Sequence, residues 1–296
     1  MQNPPICDYE GSDYQQRFWQ EGRRSYEDAV EAVALRRLLP PQGGQHLLEL
    51  GAGAGRNTPR YHNYKYVTLV DYSRTQLEQA RQALGDSGRF TYVQADAYHL
   101  PFFAGVFDAA TMIRTLHHMA EPRQVLDQVR YPLLKDAVFI LEYANKHNLK
   151  SILRYMLHQQ TWNPFSPNAV EFVPLNYNFH PATIRAWLSD SRFSVERQLT
   201  VSHLRMGLFK RLLPLKLLVA LDSLFQLTGN MWQLTPSVFV LARATGDTPP
   251  AQEGQFFRCP ACGAEGLMED ADRLVCPTCG RSYSYSGGIY DFRVKP

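Results

Sequence analysis

Short apolar runs alternate with helical-period segments over most of the chain. The run HLLEL at 46–50 ends in an acid and three spaced glycines, the pattern of a buried parallel strand that turns sharply into a helix. TLVDYS at 68–73, FTYVQADA at 90–97, FDAATMI at 107–113 and AVFILEYAN at 137–145 read as further strands, with helical periodicity near 74–84 and 121–134 between them. HPATIRAWLSDSRF at 180–193 reads as a helix entered through Pro181, and FSVERQLTV and SVFVLARA at 237–244 as closing strands. This alternation predicts an α/β fold with a doubly wound sheet. Residues 12–39 read as a helical prelude that Pro40-Pro41 stops.

Two stretches fall outside the alternation and are candidate substrate caps: 147–180, rich in aromatics and prolines, and 204–234, strongly apolar. Within the second, 207–225 contains Lys210, Arg211, Pro214, Lys216 and Asp222, which interrupt any membrane span. It reads as a buried or interface helix, with peripheral membrane contact or a greasy lid as the sharper alternative. The segment GDTPPAQEGQ loses all periodicity. The expected organisation is therefore a first domain at 1–246, an exposed linker at 247–255 and a second domain at 256–296.

The 296 residues, 45% hydrophobic and 20% charged, suit one full α/β domain with a small appendage. A net charge of +3 without any Lys/Arg run neither requires nor excludes an RNA partner. Four of the five cysteines stand in two CxxC pairs and Cys7 stands alone, which suits metal binding in a reducing compartment. The first residues lack a basic stretch followed by an apolar one, so the expected location is cytoplasmic.

The glycine loop narrows the chemistry. Gly51, Ala52, Gly53 and Gly55 follow Glu49 in the spacing G-x-G-x-G, and Arg56 stands where a dinucleotide fingerprint needs its third glycine. Glu49 would repel a pyrophosphate but could accept hydrogen bonds from a cationic amino-acid ligand. Asp71, with Tyr72 beside it, ends the second strand about 20 residues after the first glycine, where an acid can hold both ribose hydroxyls of a nucleoside. Asp96 follows the third strand and could receive an adenine amino group.

In ELGAGAGRN at 49–57, DYS at 71–73, QADAYHLPF at 94–102 and FDAATMIRTLHHM at 107–119, the chain resembles the class I S-adenosylmethionine (SAM)-dependent methyltransferases over roughly residues 12–245. The resemblance implies a Rossmann-like, seven-stranded sheet with its last strand antiparallel. It also implies that Gly51 to Gly55 back the methionine portion of SAM, Asp71 the ribose, and Asp96 with Ala97 the adenine. The Asn-Pro-Pro-aromatic motif of amino methyltransferases acting on adenine or glutamine has no counterpart at IRTLHH, which weakens that substrate class. Tyr14, Phe18, Trp19 and Tyr26 are candidates to close over the cofactor.

Arg114 to Met119 should line the mouth of the cleft after the fourth strand. His117 and His118 are candidate bases, with Glu142 and His180 as further candidates, although methyl transfer needs a base only where the nucleophile carries a proton. Structural roles in packing and capping stand beside each.

Cys259, Cys262, Cys276 and Cys279 form two CxxC knuckles separated by 13 residues, enough to complete a tetrahedral zinc shell. Four thiolates close that shell, so the metal would be structural rather than catalytic. The tail RSYSYSGGIYDFR resembles the ending of small zinc-ribbon proteins that activate methyltransferases in trans. The expectation is thus a methyltransferase domain with a C-terminal β zinc ribbon, acting on an O, N or C nucleophile of a small or lipid-like molecule. RNA recognition by the ribbon and a non-catalytic SAM-binding scaffold whose ribbon docks a partner protein remain open alternatives.

Overall fold

The apolar runs become neighbours in one sheet. In the computed structural model, which describes residues 4–7, 10–11 and 24–294, five strands run parallel: β1 (Gly44–Leu50), β2 (Tyr64–Asp71), β3 (Phe90–Gln94), β4 (Phe107–Met112) and β5 (Leu133–Ala144). Their spatial order is β3-β2-β1-β4-β5, after which come β9 (Ser237–Ala244), antiparallel to both its neighbours, and β8 (Phe193–Val201). The central strands bury both faces. Leu48, Leu50, Val70 and Val93 pack on one side, and Leu47, Val67, Leu69 and Tyr92 on the other. Covering both faces is what parallel strands require, because crossover segments occupy them.

Helix α1 (Ser25–Leu38) buries Tyr26, Val30, Ala34, Leu35 and Leu38, spaced three or four residues apart except for the adjacent Ala34 and Leu35. The remainder of the predicted prelude, including Tyr14, Phe18 and Trp19, lies outside the described residues. The helix expected after the glycine loop is a single 3-10 turn, Thr58–Tyr61, since the chain has only 13 residues between β1 and β2 in which to cross. Helices α2 (Arg74–Leu84) and α3 (Pro122–Arg130) lie where periodicity puts them, α2 capped by the Ser73 side chain accepting from the Gln76 N–H.

The first candidate cap folds as α4 (Leu149–Met156) and the hairpin of β6 (Val170–Val173) and β7 (Asn176–Asn178). After it, α5 (Pro181–Asp190) starts at a His180 cap, the imidazole accepting from the Ala182 N–H. His180 therefore serves as a helix cap. The second candidate cap folds as α6 (Gly207–Leu212) and α7 (Leu215–Phe225), separated at Pro214, and α7 packs on α1. Asp222 of α7 is fully buried and accepts from the Tyr26 hydroxyl at 2.6 Å and the His203 N–H at 2.7 Å. No helix among the described residues is long and apolar enough to cross a membrane.

The C-terminal segment changes the expected sheet. Its strands β10 (Met268–Asp270), β11 (Arg273–Val275), β12 (Ser282–Ser286) and β13 (Ile289–Asp291) form antiparallel hairpins, and β13 then pairs parallel with β3 in the register Ile289↔Tyr92, Tyr290↔Val93, Asp291↔Gln94. Seven strands of the first segment are therefore joined by these four into one eleven-stranded sheet, where a separate ribbon was expected. The reason is the open edge of β3, whose unpaired backbone groups are a template for a further strand. Cys259, Cys276, Tyr283 and Phe292 belong to the same buried cluster as β1 and β4. The segment before it is stitched down: the Ala251 N–H donates to Gly105, the Lys135 N–H to Thr248, and Phe102 bridges Phe257. Most side chains of 247–255 are exposed, while its backbone is hydrogen-bonded to Gly105 and Lys135 of the preceding fold.

Candidate active site

The strand order reverses between β1 and β4, and there the carboxyl ends of the parallel strands open a cleft. Its wall comes from Leu50, Gly51 and Gly53 after β1, Asp71 and Tyr72 after β2, Ala95 to Tyr98 after β3, and Arg114, Thr115, His118 and Met119 after β4. Gly51 has φ 72°, and a Cβ there would lie 2.1 Å from Thr115 Oγ1, so only glycine lets β1 turn this close to the β4 loop. Gly53, at φ 53°, donates its N–H to Asp71 Oδ2 at 2.8 Å, which ties the glycine turn to the end of β2. The other oxygen of Asp71 accepts from the Ser73 N–H at 3.0 Å, just ahead of α2.

Asp96 accepts from the Tyr98 N–H at 2.9 Å and meets His99 Nδ1 at 2.9 Å. These bonds turn the chain after β3, which ends at Gln94 instead of running to residue 97. Of the expected cofactor residues, Gly51, Gly53, Asp71, Tyr72, Asp96, Ala97 and Arg114 line the cleft together, while Glu49, Ala52 and Gly55 stand behind it. Gly55 packs on α2, where a Cβ would meet Leu84 at 2.9 Å. Glu49 lies buried under the turn and accepts from the Thr58 hydroxyl at 2.6 Å. Burial pushes its pKa up to about 7, against the opposing pull of Thr58 and of Arg56.

A charge network fixes the rim. Glu31 of α1 is fully buried and receives Arg56 at 2.8 Å and Arg114 Nε at 2.6 Å. Burial alone would raise the Glu31 pKa, but the guanidinium groups of Arg114 and Arg56 outweigh it and hold the carboxyl below its ordinary value. Arg114 itself sits at φ 57°, with its N–H donating to Glu142 Oε2 at 3.0 Å. The sequence reading placed Thr115 at the mouth but missed the roles of Glu31 and Arg56 in this network, and missed Gln76, Ile6 and Cys7, which line the cleft. A usable signal existed for Glu31, an acid at a core position of an apolar helix face, where only a paired charge is tolerated.

The candidate bases separate by position. His118 faces the cleft, and its Nδ1 lies 3.0 Å from the carbonyl of Leu175 at the β6–β7 turn. A carbonyl can only accept, so the neutral ring carries its proton on Nδ1 and its lone pair on Nε2. Burial lowers the His118 pKa, partly opposed by that carbonyl. His117 stacks on His118 at 4.0 Å, does not line the cleft, and has a buried Nδ1 without a partner. Glu142 lies outside the cleft, buried, with one oxygen on the Arg114 N–H and the other receiving the Ser237 hydroxyl at 2.6 Å. That geometry suits holding β5 against the Arg114 turn and leaves it out of reach of a cleft ligand.

Away from the cleft, the Sγ atoms of Cys259, Cys262, Cys276 and Cys279 all lie within 4.8 Å of one another. Cys259 and Cys279 are 3.7 Å apart, and Cys262 and Cys276 3.6 Å.

Residues 48–141 match the family described as "Methyltransferase domain". The chain is 29% identical over 165 residues to a demethylmenaquinone methyltransferase of Clavibacter sepedonicus, covering 54% of this chain and 66% of that one. It is 35% identical over 96 residues to the O-methyltransferase cnsE of Penicillium expansum, covering 31% and 35%. The match thus spans between about a third and about two thirds of these relatives' length. Among solved structures, a chain from the complex between the Haloferax volcanii Trm112 methyltransferase activator and a methyltransferase aligns with a TM-score of 0.56 at 15% identity, covering 79% of this chain and 96% of that one. An S-adenosylmethionine-dependent methyltransferase from Listeria monocytogenes aligns at 0.54 and 16%, covering 75% and 99%. These structures are likenesses of fold. Residues 48–141 thus match a methyltransferase domain, set in a fold that solved SAM-dependent methyltransferases share.

The raised pKa of Glu49 has a thermodynamic consequence. The native state binds this proton more tightly than the unfolded chain, so stability present below the ordinary carboxylate pKa is lost as pH rises toward 7. Glu49→Gln is expected to stabilise the ligand-free protein at pH ~8 by on the order of 1–3 kcal/mol, with the gain shrinking toward pH ~5. Denaturant unfolding at the two pH values checks this, and an equal effect at both would refute it.

Proposed function

We propose that this chain transfers the methyl group of SAM to an oxygen or carbon nucleophile of a small or lipid-like molecule. The observation that carries the reading is the convergence of a glycine turn and two strand-end carboxylates, Asp71 and Asp96, on one cleft at the switch point of the sheet. Asp71 would hold the ribose hydroxyls, and Asp96 and Ala97 the adenine. Gly51 and Gly53 would back the methionine portion, with the Glu49 carboxyl group buried beneath them. SAM supplies a methyl group already activated on sulfur, so the protein's task is to place an acceptor behind it and exclude water. His118 is placed to take a proton from a hydroxyl acceptor through Nε2. The quinone and O-methyltransferase relatives support acceptors of this class.

The four thiols fit a structural zinc ion. Their 3.6 and 3.7 Å spacings approach the ~3.8 Å edge of a tetrahedron with ~2.3 Å Zn–S bonds. In the Haloferax complex a methyltransferase is paired with a separate activator protein. Here the segment resembling such activators is joined to the chain and lies along β3. We read it as a built-in stabiliser of the cofactor cleft.

Incubation with methyl-labelled SAM and cell extract, followed by partition of the label, tests the activity. Label in the organic-soluble or small-molecule fraction is expected, and RNase-sensitive label would overturn the acceptor class. Asp71→Ala is expected to weaken SAM binding by roughly tenfold or more in calorimetry, and unchanged affinity would overturn the cofactor assignment. His118→Gln should keep SAM affinity but remove the acid limb of the kcat/KM profile. In the wild type that limb lies below the ordinary histidine pKa because burial depresses His118. Chelating the metal is expected to lower both the midpoint of global unfolding and SAM affinity, since β13 is seated on the strand that leads to Asp96. A chelated protein unchanged in both would refute the stabilising role.

A further inference from the structure

Helix α4 has no buried residue, yet Leu149, Leu153, Met156 and Leu157 recur at the spacing of one helix face, each about half to two-thirds exposed. Such a stripe normally faces a core. Here it faces outward, with Lys150 and Arg154 each one position beyond its first two leucines. Helix α6 repeats the arrangement one turn at a time, with Leu208 at 60% and Leu212 at 69% exposure around Lys210 and Arg211. A third group precedes β9: Met231 at 72% and Trp232 at 62%.

Topology brings these groups to one edge of the molecule. Helix α4 follows the end of β5, α6 follows the end of β8, and residues 231–236 enter β9 where Ser237 pairs with both Ala144 and Val201. The Leu149 N–H donates to the Leu234 carbonyl at 2.8 Å, so the first and third groups of apolar chain meet. This is the carboxyl edge of the parallel strands, the edge on which the cleft opens.

Charge selects the occupant. No acidic residue occurs between Glu142 and Glu171, and between Glu196 and Asp247 only Asp222 occurs, which is buried in its bonds to Tyr26 and His203. The same stretches carry Lys150, Arg154, Arg211 and Lys216 on exposed positions, while Arg205 and Lys210 lie against the buried carboxylate of Glu27 in α1. A protein partner's interface would be expected to mix signs, whereas exposed leucines and a tryptophan among cations alone match the surface of an anionic bilayer, with apolar side chains entering the acyl boundary and cations meeting phosphate. An apolar area of this kind is rare on a chain that meets only water.

We propose that the face formed by α4, α6 and residues 231–234 docks on an anionic lipid bilayer and presents the mouth of the cleft to it. Docking does not require methyl transfer, so its failure and the failure of the proposed activity are distinguishable.

The test is flotation of the full chain, without SAM, with vesicles of phosphatidylcholine alone or containing about 30% phosphatidylglycerol. Co-flotation with the anionic vesicles, weakening as salt rises, is expected, with little on phosphatidylcholine alone. The triple substitution Leu153→Glu, Leu212→Glu and Trp232→Glu should reduce vesicle partitioning by about tenfold or more, and the pair Lys150→Glu and Lys216→Glu by about tenfold. All five positions are exposed, so circular dichroism and the unfolding midpoint should match the wild type. Met268→Glu, exposed on β10, should float as the wild type does. Absence of flotation, or equal flotation of the triple variant, overturns the proposal. So does a solution dimer that the triple substitution dissociates while neither protein floats, because the face would then be a self-association surface.

Discussion

The cleft of this molecule leans on the outer edge of β3. That strand delivers Ala95, Asp96 and Ala97 to the cleft, and without a neighbour it would be the exposed rim of the sheet. Strand β13 fills the position with three residue pairs, and the Phe292 N–H extends the ladder by donating to the Gln94 carbonyl at 2.8 Å. Aromatic packing reinforces the seam. Phe257 and Tyr283 stack against Phe292 at 4.7 and 5.0 Å, and Phe102 meets Phe107 edge-on at 5.0 Å. The strand leading to Asp96 is therefore held by β2, the strand before it in the chain, on one side and by β13, about two hundred residues away, on the other.

The opposite wall is held by charge. Helix α1 inserts Glu31 beneath two arginines, one from the glycine turn and one from the loop after β4. A carboxylate in that place without partners would be costly, and with them it fixes two loops of different origin relative to a third element. Arg114 also carries its backbone in a left-handed conformation, supported by Glu142 from the neighbouring strand. The cleft is thus bounded by hydrogen-bonded ladders on one side and by a buried ion network on the other.

How much of this was readable from residues follows from the same physics. The central strands were legible because burial on both faces writes a continuous apolar run, and the glycine turn because only glycine tolerates the Gly51 approach to Thr115. Strand ends were less so: β3 stops early because the Asp96 side chain turns the chain, and β2 begins at Tyr64, ahead of its apolar run. The pairing of β13 with β3 left no periodic trace, since three residues cannot show one. His117 and His118 looked equivalent in the sequence, and only tertiary packing separates the one that reaches the cleft. The α1 network was hidden because ion pairs between residues such as Glu31 and Arg114 have no spacing rule.

The parallel seam between β13 and β3 also bears on how the chain reaches this state. Its partners are separated by about two hundred residues, so closing it requires a long loop and rewards the chain only late. During synthesis the first five strands can collect while β3 still presents an open backbone, and other chains can reach that edge before its own strand does. The cysteine hairpins, by contrast, pair locally, each through three residue pairs. The wall of the cleft that carries Asp96 thus depends on a strand made late in synthesis, and any delay in the final hairpin lengthens the time in which the edge is open to a wrong partner.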